Sequence, residues 1–409
     1  MATDPRTRAR VLEVFGVFLR LGCTSFGGPV AHLGYFRDEF VVRRRWLTNA
    51  QYADLVALCQ FLPGPASSQV GFGLGLRRAG LAGAVSAWIA FTLPSSLIML
   101  AVAFGAAVLT GPVVDGVLRG VLAVAVAVVA HAVHGMRRSL APDAARGSIA
   151  VLAAIAALLI GGVWGQLGVL CGGALAGVAL LRPSAGGDGG VIAGRRAEGW
   201  PLWSRGAALT SLALCAVLLA ALPLLAALTR NGAVALVDAV YRAGATVFGG
   251  GHVVLATLEA EPALARAIPQ DQLLFGYGAA QAVPGPLFSF AAYVGAVWDG
   301  AGGGAERAAF ALLAIVAIFA PGFLLLLGVL PFWARLQRRP AIAGAMRGIG
   351  AAVVGVLAAA FVDPVLVHGV TGWATLALAL LSLVALLCRV PPWVIVIAGA
   401  LCGGAAAVL

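Results

Sequence analysis

Apolar residues run along this chain in stretches of about twenty, the length a helix needs to cross a bilayer, with short polar turns between them from Val11 to Leu409. Nowhere do polar and apolar positions alternate in the ten-residue segments of a membrane barrel. The pattern predicts an all-α fold: a polytopic membrane protein of about thirteen apolar segments. Some of these segments are interrupted in a way an ordinary span is not. One carries Gly27, Gly28 and Pro29, and the next carries Pro63, Gly64 and Pro65, followed by Ser67, Ser68 and Gln69. Each proline removes a backbone donor and clashes with the preceding turn, so the helix must stop there.

The pattern is written twice. RLGCTSFGGP at residues 20–29 returns as RAGATVFGGG at 242–251, and QFLPGP at 60–65 returns as QAVPGP at 281–286. LRG at 118–120 returns as MRG at 346–348, each ahead of an Ala/Val-rich helix. Order and spacing are kept, so a whole half is duplicated. The expected division is a first repeat over 1–181, a linker with one additional apolar segment over 182–232, and a second repeat over 233–409.

Charge in the turns sets the orientation of each half. Arg37, Arg43, Arg44 and Arg45 stand against Asp38 and Glu39 after the first segment of half one, whereas Glu259, Glu261 and Asp271 stand against Arg266 at the matching place in half two. Arg77 and Arg78 in the next turn are answered by Asp299, Glu306 and Arg307. Positive loops stay cytoplasmic, so the two halves are expected to be inverted, with the odd segment supplying the flip and the N-terminus in the cytoplasm. The turns on both sides of each Pro-Gly-Pro segment carry the same sign. That predicts re-entrant segments that dip in and return; two kinked spans are the other reading.

Composition agrees with the membrane assignment: 61% of residues are hydrophobic and only 11% charged, under half the charged share of a soluble domain. The net charge of +11 sits in short loops and needs no nucleic acid. Six cysteines lie scattered without metal or redox spacing and read as small packing residues. His131 and His134, at a basic helix end, read as a solvated face. No cofactor is expected, and no GxxxxGK[ST] loop is present for ATP.

Irregular backbone at membrane depth is tolerated where it lines a cavity or is buried in protein. Broken helices expose N–H groups that carry about half a positive charge, and such ends converging near the midplane suit an anion. Arginines embedded in apolar segments point the same way, since each costs roughly 2.5–3.5 kcal/mol to insert without a partner. They are Arg20 with its match Arg242, and Arg119 with its match Arg347. Asp115 precedes Arg119 by four and Asp238 precedes Arg242 by four, at ion-pair spacing. Arg20 and Arg347 have no such local acid and are the better candidates to face an anion. Thr24, Thr246, Ser67 and Ser68 are further candidate contacts, and His32 and His252 candidate carriers of a coupling proton.

FGGPVAHLGYF, the following RRRW, and the paired LPGP and VPGP segments resemble the chromate ion transporter family over essentially the whole chain. The resemblance implies secondary transport of chromate across the bacterial inner membrane, usually efflux that confers resistance, with sulfate as structural analogue. The family motif positions here are Gly27, Gly28, Pro29, Gln60, Pro63, Gly64 and Pro65, then Gly249, Gly250, Gln281, Pro284, Gly285 and Pro286. Gly251 stands where the first repeat has Pro29, a departure that puts symmetric substrate contacts in doubt. Expected partners are chromate, sulfate and membrane lipid; Gly-rich faces would serve a homodimer as readily as the packing of one chain. A channel, a carrier of another small anion and a membrane-embedded enzyme are the competing readings, the last lacking any clustered acid–base set.

Overall fold

The computed structural model describes residues 5–26, 28–108, 111–160, 162–181, 204–248, 253–299, 302–336 and 339–407. Among them there is helix and no strand. In chain order the first half has α1 (Pro5–Thr24), α2 (Gly28–Arg37), α3 (Asn49–Phe61), α4 (Ala66–Val108), α5 (Pro112–Leu140), α6 (Ala144–Ile160) and α7 (Gly162–Leu180). A connecting helix, α8 (Arg205–Thr229), follows. The second half has α9 (Gly232–Thr246), α10 (Val253–Glu259), α11 (Pro262–Ala267), α12 (Gln270–Ala282), α13 (Phe290–Ala296) and α14 (Gly304–Val329). It ends with α15 (Trp333–Leu336), α16 (Pro340–Ala360), α17 (Val367–Gly369), α18 (Trp373–Leu387) and α19 (Pro392–Ala406).

Local chemistry sets the ends of these helices. Thr48 opens α3 with a capping box closed by Gln51, and the Asn231 side chain accepts from the Ala233 and Val234 amides at the start of α9, satisfying donors the first turn leaves free. Helix α3 stops just before Pro63 and α12 just before Pro284. Helix α4 bends at Ala79 and Gly80, where Gly80 takes φ +66°. The bend follows Arg77 and Arg78 and divides a first limb behind the Pro-Gly-Pro break from a second that continues to Val108.

Among the described residues, five helices are long and apolar enough to cross a membrane, within Ala66–Gly105, Pro112–Arg138, Arg205–Thr229, Gly304–Phe332 and Pro340–Gly369; shorter apolar helices include Ala144–Ile160, Trp373–Leu387 and Pro392–Ala406. Their outward side chains are apolar: Leu209, Val217, Leu224 and Leu228 on α8, and Val151, Leu152, Ile155 and Leu159 on α6 are all exposed. So continuous an apolar surface fits lipid and no aqueous solvent. The chain is a multi-pass helical membrane protein.

Helices from the two halves interleave. Helix α5 of the first half packs along α19 of the second, and α16 of the second along α7 of the first. Both contacts are glycine seams spaced four apart: Gly116 and Gly120 against Gly399 and Gly403, and Gly344 and Gly348 against Gly173 and Gly177. A Cβ on Gly120 would run into the Gly399 carbonyl, and one on Gly348 into the Gly173 carbonyl. Lipid-embedded helices associate through van der Waals contact rather than hydrophobic exclusion, so small residues that let backbones touch are what binds them.

Candidate functional site

The breaks meet at the centre of the fold. At Gly64 the chain takes φ +116° and at Gly285 φ +100°, a backbone state that L side chains rarely adopt. The freed Gly64 amide donates to the Val247 carbonyl at 2.6 Å, and the freed Gly285 amide donates to the Ser25 carbonyl at 2.9 Å. Ser25 follows α1 directly, and Val247 follows α9. Each Pro-Gly-Pro break is thus tied to the broken first segment of the opposite half, and the tie is reciprocal. Buried amides without helical partners are satisfied in this way.

Around Gly64 the space is filled. Gln69, fully buried, donates through Nε2 to the Pro63 carbonyl at 3.0 Å and to the Gly322 carbonyl of α14 at 2.9 Å. Pro65, Ser67 and Ser68 are buried beside it, and Pro63 half-buried. His32 is enclosed as well, with Nδ1 3.4 Å from Ser67 Oγ and Nε2 3.2 Å from the Ser25 carbonyl. Both ring nitrogens are therefore engaged in linking α2 to the two breaks, which suits a positioning residue. Gln60, one turn before the break, is exposed.

Around Gly285 the space is open. A cavity of about 600 Å³ is lined by Gly28, Gln281 and Gly285 at one end and by Arg138 and Arg389 among others, with His131 and His134 on its wall. No carboxylate is among its described lining residues. Pro284 is half-buried and Pro286 buried against the same break, and Pro29 is half-buried next to Gly28. His131 and His134 thus belong to a cavity wall and not simply to a solvated helix face. Gly27, Gly249, Gly250 and His252 lie outside the described residues, as does Gly251.

The embedded arginines are placed differently from the expectation. Arg20, thought to lack an acid, pairs with Glu39 at 2.7 Å, because the turn after α2 folds back over α1. Its counterpart Arg242 meets Glu261 at the same 2.7 Å and Asp238 at 3.0 Å. Thr24 and Thr246 each donate to the carbonyl four residues back, at Arg20 and Arg242. Arg119 and Arg347 are exposed. No ion pair forms between Asp115 and Arg119 among the described residues; instead Arg119 borders a separate groove with Trp373, and Arg347 donates to the Leu181 carbonyl at 3.2 Å. None of the four lines the cavity.

Glu39 and Glu261 count in the sequence only as loop charges, and their pairing with Arg20 and Arg242 is what sequence reasoning missed. The step along the chain that carries Arg20 onto Arg242 carries Glu39 onto Glu261, so the duplicated ion pair was available as a signal. Both acids sit on connecting segments outside the long apolar helices. Burial alone would push Glu39 up, but the Arg44 hydrogen bond and the charges of Arg20 and Arg44 hold it below the usual carboxylate range. Burial pushes Glu261 up to about 7, against the pull of Arg242 and with the help of Asp238.

Helices broken at matched places are thus tied across two halves of a multi-pass membrane protein, and the second break opens on a cavity lined by arginine and histidine. The sequence profile of the chromate transporter family matches residues 12–178 and again residues 234–404, and the chain belongs to that family. A chromate transport protein of Pseudomonas aeruginosa is 28% identical over 386 residues, covering 88% of this chain and 84% of the relative. A probable chromate transport protein of Synechococcus elongatus is 28% identical over 354 residues, covering 84% and 82%. One from Cupriavidus metallidurans is 41% identical over 99 residues, 24% of either chain. No solved structure matches.

Proposed function

We propose that this protein is a secondary transporter that carries chromate across the bacterial inner membrane, outward, and so confers chromate resistance. Family membership supports the substrate. The observation that carries the mechanism is the reciprocal pair of hydrogen bonds, Gly64 to Val247 and Gly285 to Ser25. Such ties let residues 1–181 and 233–409 act as inverted repeats that rock about a shared centre, with 182–232 reversing the direction of insertion. The N-terminus then lies in the cytoplasm, as do the arginine-rich turns. Alternating access follows when one break opens as the other closes. Sulfate, a tetrahedral dianion like chromate, is the expected competitor.

The test is radiolabelled chromate uptake into inverted membrane vesicles under an imposed proton gradient, with sulfate as competitor. Accumulation above empty vesicles that sulfate suppresses supports an oxyanion exporter. Absence of chromate flux from folded, inserted protein overturns the substrate, and flux that does not saturate overturns the carrier in favour of a channel.

A further inference from the structure

The cavity beside Gly285 is distinguished by its charge. Two other hollows, one at Trp88 and Leu93 and one at Phe15 and Val85, have no ionisable side chain among their described lining residues. The groove at Arg119 has a single cation. Here the end of α5 brings Arg138, the corner between α18 and α19 brings Arg389, and His131 and His134 stand one turn apart on α5. The cations come from an interleaved contact: α5 belongs to the first half, while α18 and α19 belong to the second.

We infer that this cavity is the binding site for a doubly charged tetrahedral oxyanion. Arg138 and Arg389 supply the balancing charge beside the Gly285 break, with His131 and His134 on the same wall. Charge-assisted bonds from guanidinium to oxyanion are the strong ones, and no carboxylate among the described lining residues competes for either arginine. The inference rests on the reading of the protein as an oxyanion carrier and adds to it Arg138, Arg389 and His131, which lie in none of the glycine and proline motifs. In the proposed orientation both arginines lie at the cytoplasmic face, so the site is loaded from the side where an exporter meets its cargo.

The phosphate of an anionic lipid headgroup offers the same chemistry, and the experiment separates the two. Full-length protein in nanodiscs of phosphatidylcholine alone is assayed for binding of radiolabelled sulfate and chromate, then again in nanodiscs containing phosphatidylglycerol. Saturable binding in both, with each anion displacing the other, is expected. Arg138→Gln and Arg389→Gln each weaken it about tenfold or more, and the double variant removes it. Arg266→Gln, an exposed arginine bonded within its own short helix, leaves it unchanged. Anion binding that phosphatidylglycerol abolishes overturns the inference in favour of a lipid site. Binding by a well-folded double variant within twofold of the unmodified protein overturns it as well, while leaving chromate transport standing. Binding of sulfate without chromate keeps the site and sinks the chromate reading.

Discussion

At Gly64 the chain turns through φ +116° and donates across to Val247; at Gly285 it turns through +100° and donates across to Ser25. The proline before each glycine ends one helix and the proline after it starts the next in both places. Yet the first break is sealed by Gln69 and the second opens on a cavity. The step that carries Gly64 onto Gly285 carries Gln69 onto Phe290. Phe290 is buried in a stack with Tyr293 and against Tyr277, where it has no amide to return to the carbonyls. The difference teaches that duplication fixes the backbone device, while single side chains decide which copy is open.

The sharpest way to break the comparison is to add one methyl group to each glycine. A Cβ on Gly64 would stand 3.0 Å from the Gly322 Cα, which is backbone and cannot step aside. A Cβ on Gly285 would stand 3.0 Å from Ser95 Oγ, which can rotate, with the Gly22 and Phe91 carbonyls at 3.3 Å. Both substitutions carry backbone strain of about 1–3 kcal/mol, and Gly64→Ala adds an overpacking cost of about 1–3 kcal/mol. Gly64→Ala should therefore lower thermal stability in detergent more than Gly285→Ala. Gly285→Ala should retain its fold and lose transport. Equal melting temperatures for the two variants would mean that the first break is no tighter than the second.

The acid pair offers a comparison of smaller size but opposite sign. Glu39 is enclosed by Arg20, Arg43 and Arg44, whereas Glu261 has Arg242 alone and shares it with Asp238. A carboxyl held below its unfolded value, about 4.3, stabilises the fold above that value, and the contribution disappears as the pH falls through the folded one. A carboxyl raised to about 7 works the other way: the fold is favoured below about 4.3 and loses that advantage as the pH climbs to 7. Glu39→Gln should cost about 1–3 kcal/mol at neutral pH, less than a fully enclosed pair because its arginines reach water. The gap from the unmodified protein should close below pH 4. Glu261→Gln should match the unmodified protein in acid and exceed it above pH 7. Melting temperatures across that range decide it, and gaps that change in the same direction would refute the asymmetry.

Much of this was legible in the chain because proline and glycine carry their backbone consequences with them: the stops before Pro63 and Pro284 needed no tertiary information. The Asp238–Arg242 pair was legible too, being one helical turn long. The Arg20–Glu39 pair was not, since it closes only when the turn after α2 folds back over α1. The cavity was still further from reach. Arg138 and Arg389 come to line one cavity through the contact of α5 with α19, and that contact depends on which glycine seam meets which. Asp115 and Arg119 show the opposite failure, because correct spacing on an exposed helix face was not enough to hold an ion pair.

Gln69 gives the mildest and most informative test of the sealed break. Gln69→Leu keeps the volume and removes the hydrogen bonds to the Pro63 and Gly322 carbonyls, for a loss of about 1–2 kcal/mol. The first break would then resemble the second, with an apolar side chain where the bridging amide stood. In a background with the six native cysteines replaced by alanine, Ser68→Cys reports on the opening, because Ser68 is buried next to Gln69 with its hydroxyl unpaired. A membrane-impermeant thiol reagent should leave Ser68→Cys unmodified when Gln69 is present. It should label that cysteine from the external side, several-fold faster, when Gln69 is leucine. Labelling that stays absent, with an unchanged melting temperature, would show that the glutamine seals nothing and that packing against α14 alone keeps the first break shut.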